Sequence, residues 1–106
     1  MNRGDVYWVN FDPAIGSEIK KMRPAVIVSN NSNNNYMSRV QVIPLTSNIS
    51  RVYPCETIVI IRGKQGKALA DQITTVDKTR LGDYLGTLTL SELMNVDNII
   101  RLQLEL

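Results

Sequence analysis

Arg23-Pro24-Ala25-Val26-Ile27-Val28-Ser29 is the stretch whose reading decides the fold. Side chains along a strand point alternately to opposite faces, so an unbroken apolar run from Ala25 to Val28 asks for protein on both sides. Pro24 has no amide hydrogen and fits only at the start of such a strand. Working outward, Asp5 to Phe11 is rich in strand formers and predicts another strand. Asp12 to Met22 joins the two. It is polar, carries Lys20 and Lys21, is broken by Pro13 and Gly16, and predicts a mobile loop. Downstream, Asn30 to Asn35 holds five asparagines and predicts a loop or a short helix capped there.

Val40 to Leu45 predicts a third strand and Thr46 to Tyr53 a second polar loop. Cys55 to Ile61 predicts a fourth strand and Arg62 to Lys67 a basic turn. Ala68 to Ala70 and Ile73 to Val76 predict short strands on either side of Asp71-Gln72, and Gly82 and Gly86 flank one more short piece. The end is helical. Thr89-Leu90-Ser91-Glu92 is a capping box, with Leu88 and Leu93 spaced as a hydrophobic staple. Leu93, Val96, Ile100 and Leu104 follow along one helical face. Strands this short and this closely spaced predict a mainly β domain with α additions: one small, strongly curved, barrel-like sheet and a C-terminal helix, spanning residues 1–106.

Composition narrows the chemistry. There is no histidine and only one cysteine, Cys55, which excludes an internal disulfide and the usual cysteine or histidine zinc site. No apolar run reaches the roughly 18 residues of a membrane span, and the charged N-terminus is unlike a signal peptide, so the expectation is a cytoplasmic protein. Residues 1–67 carry nine Lys or Arg against four Asp or Glu, and residues 68–106 carry three against six. A basic surface that meets an anion is expected, and nucleic acid is the leading candidate.

Arg23 stands where a basic loop meets a buried strand. Its guanidinium keeps its charge and offers a planar fork of donors to phosphate oxygens, although strand-start arginines also bond backbone carbonyls. Thr46-Ser47 places two hydroxyls where a strand gives way to a loop. They suit a phosphate oxygen or a self-capped turn, and without histidine neither is an activated nucleophile. Asp71 between apolar stretches predicts a partly desolvated carboxylate, either a general base or a turn-forming group, and Gln72 can read a base edge. Glu18 in the mobile loop is either a substrate contact or, more in keeping with its setting, a solvated loop charge. Of Tyr7 and Trp8, one belongs to the core and the other is free to stack on a base.

Arg3-Gly4-Asp5-Val6-Tyr7-Trp8-Val9, Asp12-Pro13, Gly16-Ser17-Glu18 and Arg23-Pro24-Ala25-Val26 resemble the opening of MazF/PemK toxins. Ile43-Pro44-Leu45-Thr46-Ser47 resembles that family's second block. Ala68-Leu69-Ala70-Asp71-Gln72-Ile73, with Thr75 to Leu81, resembles the third. The resemblance implies an SH3-like barrel working as a homodimer. It implies a sequence-specific, metal-independent and cofactor-free endoribonuclease toxin cutting single-stranded RNA, chiefly mRNA. It also implies a cognate antitoxin whose flexible acidic segment fills the RNA groove. Arg23 and Thr46 match the family's cleavage residues. Glu18, Lys20, Lys21, Ser47, Asn48, Asp71 and Gln72 fall where RNA contacts are expected. In the PemK branch, an aspartate matching Asp71 works beside an arginine and a histidine. Leu69 and Ser17 stand at those two positions here, so that acid–base set is incomplete. The competing class is a non-catalytic toxin of the same fold that grips a protein such as gyrase.

Overall fold

The computed structural model describes all 106 residues. In chain order they form β1 (Asp5–Asn10), β2 (Met22–Ile27), α1 (Asn31–Tyr36), β3 (Arg39–Thr46), β4 (Glu56–Ile61), β5 (Lys64–Leu69), β6 (Thr74–Asp77), β7 (Leu81–Thr87) and α2 (Leu90–Leu104). Single 3₁₀ turns at Ala70–Gln72 and Lys78–Arg80 flank β6. Six strands lie side by side in the order β4-β5-β3-β2-β1-β7, and β6 pairs with β3. All the pairings are antiparallel.

Burial on both faces of β2 comes from two separate cores. Val26 and Val28 join Val6, Ile43, Leu45, Val59 and Val96 on one side of the sheet. Ala25 and Ile27 join Val9, Phe11, Val40, Val42 and Val76 on the other. β3 curves the sheet by changing partners along one edge. Its first half pairs with β6, from Arg39↔Asp77 to Val42↔Thr74, and its end pairs with β5 at Leu45↔Ala68 and Thr46↔Lys67. That curvature brings the β4–β5 hairpin round toward β7. Arg62 bridges the gap, its Nε donating to the Leu85 carbonyl at 2.9 Å and a terminal nitrogen to the Tyr84 carbonyl at 3.3 Å.

The basic segment Arg62 to Lys67 is not one turn. Only Arg62 and Gly63 turn the chain, with φ of 51° and 75°, and Lys64 already begins β5. Two successive left-handed residues suit the right-handed twist of a two-residue hairpin. The asparagine tract resolves in favour of the helix: the Asn30 side chain accepts the Asn33 amide at 2.8 Å and caps α1. Inside it, Asn34 is fully buried and bonded to Ser29, which excludes a solvated loop.

α2 starts as its sequence requires. Thr89 Oγ1 accepts the Glu92 amide at 3.1 Å and Glu92 Oε1 accepts the Thr89 amide at 3.0 Å. Glu92 also reaches out of the helix, its Oε2 accepting the Ile60 amide of β4 at 2.7 Å. Burial pushes this carboxyl up, but the Thr89 and Ile60 amides and the Thr89 hydroxyl outweigh it and hold the pKa below the ordinary glutamate value. We expect Glu92→Ala to lower stability by about 2 kcal/mol, because it removes a cap and an interelement bond together. Urea unfolding checks this, as a lower midpoint with an unchanged slope. The buried face of α2 differs from the expected one in two respects, the burial of Ile99 and the exposure of Leu104. Val96 and Ile99 are buried, Leu93 and Ile100 half-buried, and Leu104 exposed, because the last turn of the helix carries its side chains into solvent. Gly4 lets β1 start beneath this helix: it has φ of 95°, and a Cβ there would stand 3.2 Å from a Leu93 methyl.

Candidate active site

The open end of the first core is a cavity of about 510 Å³. Its apolar wall comes from Trp8, Pro24, Leu45, Val59, Ile61 and Leu85. Its polar rim comes from Arg23 at the start of β2, Thr46 and Ser47 at the end of β3, and Arg62, Lys64 and Gln65 from the β4–β5 hairpin. Neighbouring antiparallel strands carry the start of one past the end of the next, so β2 and β3 deliver Arg23 and Thr46 to the same rim. No aspartate or glutamate lines the cavity, and its three cations therefore stand without a neutralising carboxylate among the lining residues.

Arg23 is half-buried. Its Nε donates to the Lys20 carbonyl at 3.3 Å, and neither terminal nitrogen donates to a protein atom. The guanidinium is thus steadied by one bond, and its fork is left for a ligand. The Thr46 hydroxyl oxygen is 3.4 Å from the Asn48 amide, a weak contact that leaves the hydroxyl hydrogen uncommitted. Asn48 turns back on its own loop, its Oδ1 accepting from Ser50.

Other expected contacts lie elsewhere. Glu18 and Gln72 line a second, smaller cavity of about 200 Å³ under the Asp12–Lys21 loop. Glu18 Oε1 accepts the Ile15 amide at 2.7 Å, and Gln72 Oε1 accepts the Ile19 amide at 3.3 Å. Lys20 and Lys21 are exposed on the same loop, beside Arg23. Asp71 lies outside both cavities and is exposed rather than desolvated, because the 3₁₀ turn at Ala70–Gln72 buries Ala70 and turns the next side chain outward. Its carboxyl approaches Cys55 and Glu56, with ligand atoms within 4.8 Å of one another. Glu56 is already committed to the Lys67 ammonium at 2.8 Å, and none of the three lines the cavity of Arg23 and Thr46.

Sequence reading missed Arg62, Lys64 and Gln65 as members of the rim. Their one signal was the basic character of the hairpin, and nothing local says that it folds back over Thr46. It also left Tyr7 and Trp8 undecided. Tyr7 packs edge-on against Tyr84 with ring centres 5.5 Å apart, while Trp8 is one of the residues lining the cavity. Burial, the Asp5 charge and Tyr84 all push the Tyr7 hydroxyl above its ordinary pKa, so it stays neutral.

An arginine with no carboxylate partner and a threonine hydroxyl stand together at the mouth of a strongly curved β sheet, an arrangement whose chemistry suits an anion with several oxygens. Residues 2–104 match the model of the PemK-like, MazF-like toxins of type II toxin–antitoxin systems. The chain belongs to that family, and it is an endoribonuclease. It is 38% identical to endoribonuclease MazF9 of Mycobacterium tuberculosis, covering all of this chain and 98% of the relative. It is 37% identical to endoribonuclease MazF of Staphylococcus epidermidis, covering 92% of that protein. Among solved structures, MazF from Deinococcus radiodurans superposes with a TM-score of 0.89 at 28% identity, over all of this chain and 97% of that one. A mycobacterial endoribonuclease in complex with its cognate antitoxin superposes with a TM-score of 0.85 at 29% identity, over all of this chain and 96% of that one.

Proposed function

We propose that the chain is a sequence-specific, metal-independent toxin ribonuclease that cuts single-stranded RNA, chiefly mRNA, in the cavity bounded by Arg23 and Thr46. The observation that carries this reading is the Arg23 fork, held by one backbone carbonyl and otherwise free, beside Thr46 in a cavity without carboxylates. In the proposed step a ribose 2′-oxygen loses its proton and bonds to the adjacent phosphorus. The bond from phosphorus to the 5′-oxygen breaks, and that oxygen takes up a proton. The products are a 2′,3′-cyclic phosphate and a 5′-hydroxyl. Negative charge accumulates on the phosphoryl oxygens of the five-coordinate state. Arg23 neutralises it, and Thr46 donates to the same oxygens more strongly there than in the ground state. DNA has no 2′-hydroxyl and resists. Trp8 offers a flat apolar surface for a flanking base, and Lys20, Lys21, Arg62 and Lys64 follow the backbone.

The same basic groove suits the flexible acidic segment of a cognate antitoxin, which would compete directly with RNA. Exposed Leu90, Met94, Leu102 and Leu106 on α2 and the chain's end are apolar surface that a homodimer could cover; a toxin acting on mRNA would work in the cytoplasm.

The test is incubation of antitoxin-free protein with long single-stranded RNA in EDTA, with the fragment ends mapped. Cuts at one recurrent short motif with cyclic phosphate ends support the proposal. Intact RNA, from folded protein, moves the reading to a toxin that grips a protein target. RNA affinity should also fall steeply with salt. Four phosphate contacts give a slope of log K against log salt of about −3, and a flat plot counts against the groove.

A further inference from the structure

We propose that Arg80 is a positioning residue for cleavage, which sets the Arg23 guanidinium through the base of the Asp12–Lys21 loop. The inference rests on the reading of Arg23 as the group that meets the scissile phosphate. It begins from a loop with little packing to hold it. Ala14 and Ile19 are half-buried, its other residues are exposed, and the cavity of about 200 Å³ lies underneath it. Such a segment takes its position from polar tethers.

Arg80 supplies the tether at the base. Its Nη1 donates to the Asn10 carbonyl at 2.9 Å and to the Asp12 carbonyl at 2.6 Å, on either side of buried Phe11. Its own turn is bolted to the body: Asp77 accepts from the Thr79 amide and hydroxyl, and the Lys78 ammonium donates to the Asn34 carbonyl at 2.6 Å. The path then crosses the loop. Asp12 Oδ1 accepts the Lys21 amide at 2.9 Å, and the Lys21 carbonyl accepts the Phe11 amide at 2.9 Å. Lys21 is held left-handed, with φ of 66°, which orients the preceding peptide. The carbonyl of that peptide, from Lys20, is the one protein acceptor of the Arg23 guanidinium. Arg80 lines only the smaller cavity, so it acts through these bonds and not on RNA in the larger one.

The experiment combines single-turnover cleavage of a single-stranded RNA carrying the mapped motif with limited trypsin digestion of the full-length protein. Arg80→Ala is expected to lower the maximal rate about tenfold while KM stays within about threefold, since a misaimed catalytic group loses rate more than binding. In an Arg23→Ala background the same substitution should change the rate by less than about twofold, the mark of two residues acting as one unit. Trypsin should nick Arg80→Ala faster after Lys20 and Lys21, while Pro24 protects Arg23 from cleavage in the variants that keep it. Asp12→Ala, an exposed change that leaves Arg80 in place, should behave like Arg80→Ala, and Asp12→Asn should restore the rate because its carbonyl still accepts the Lys21 amide. Wild-type cleavage by Arg80→Ala, a loss of equal size in both backgrounds, or unchanged nicking would each overturn the relay. Wild-type cleavage by Arg23→Ala would instead sink the active-site reading, and the digestion alone would then judge the tether.

Discussion

Replacing Arg23 with alanine is expected to slow RNA cleavage about a thousandfold, the usual loss when one aimed donor is removed from a developing oxyanion. The expectation follows from geometry. Arg23 is the arginine at the cavity mouth whose terminal nitrogens have no protein partner, whereas one of those of Arg62 reaches the Tyr84 carbonyl, and no carboxylate lines the cavity to share its charge. Folding should hardly respond, because only one bond to the Lys20 carbonyl is lost. Lysine should not restore the rate, since it presents a point charge where a planar fork met two oxygens. Thr46→Ala removes a single hydroxyl donor to a charged group and should cost about ten- to a hundredfold. The two losses together should fall short of their product, because both act on the same oxygens. Single-turnover rates on the mapped motif, with circular dichroism to show native structure, decide the matter. Wild-type rates from folded Arg23→Ala would remove it from the chemistry.

The second large effect concerns stability. Lys67 and Glu56 form an ion pair at 2.8 Å, and each side chain is only 10% exposed. Lys67 also donates to the Arg51 carbonyl at 2.6 Å and lies 5.6 Å from the Tyr53 ring centre. It faces Thr46 across the β3–β5 ladder, so this pair fixes the loop that carries Ser47 and Asn48. Glu56→Ala leaves a buried ammonium without its partner, and the expected loss is about 3 kcal/mol. At about 4–8 °C per kcal/mol for a chain of this size, the melting temperature should drop by more than ten degrees at matched protein concentration. Replacing both at once, Glu56→Leu with Lys67→Met, should restore most of the loss, because two apolar side chains need no desolvation. If the double variant is as unstable as the single ones, the loop contacts outweigh the ion pair.

The same pair sets a pH dependence. Burial pushes the Glu56 carboxyl up, but the Lys67 hydrogen bond, the Tyr53 amide and the Lys67 charge outweigh it and hold it below the ordinary glutamate value. The unfolded chain therefore binds this proton first as acid is added. The stabilisation is present above the unfolded value of about 4.3 and is lost as pH falls through the folded value. Glu56→Gln should flatten that part of the stability profile, and an unchanged acid limb would show that other carboxylates govern it.

Much of the framework was legible in the residues. The apolar run of β2 required two cores, and two cores flank it. The Thr89–Glu92 capping box forms as spelled. The family blocks led to the right family, because they carry a whole fold's worth of spacing at once. What misled was local context read as environment. Asp71 sits between apolar segments yet is exposed, and Lys67 looked like part of a basic turn yet is buried.

From sequence alone came the period and boundaries of most strands, the start of α2, the basic N-terminal two-thirds and the candidacy of Arg23 and Thr46. These depend on neighbours a few residues away or on a match along the whole chain. Only the tertiary structure decided that the β4–β5 hairpin brings Arg62, Lys64 and Gln65 to the rim, that Trp8 lines the cavity while Tyr7 packs against Tyr84, and that Arg80 ties down the loop beside Arg23. Those facts follow from β3 changing partners midway and from the curvature that results. Register and curvature are set by contacts between residues far apart in the chain, and no local pattern encodes which side chains they will bring together.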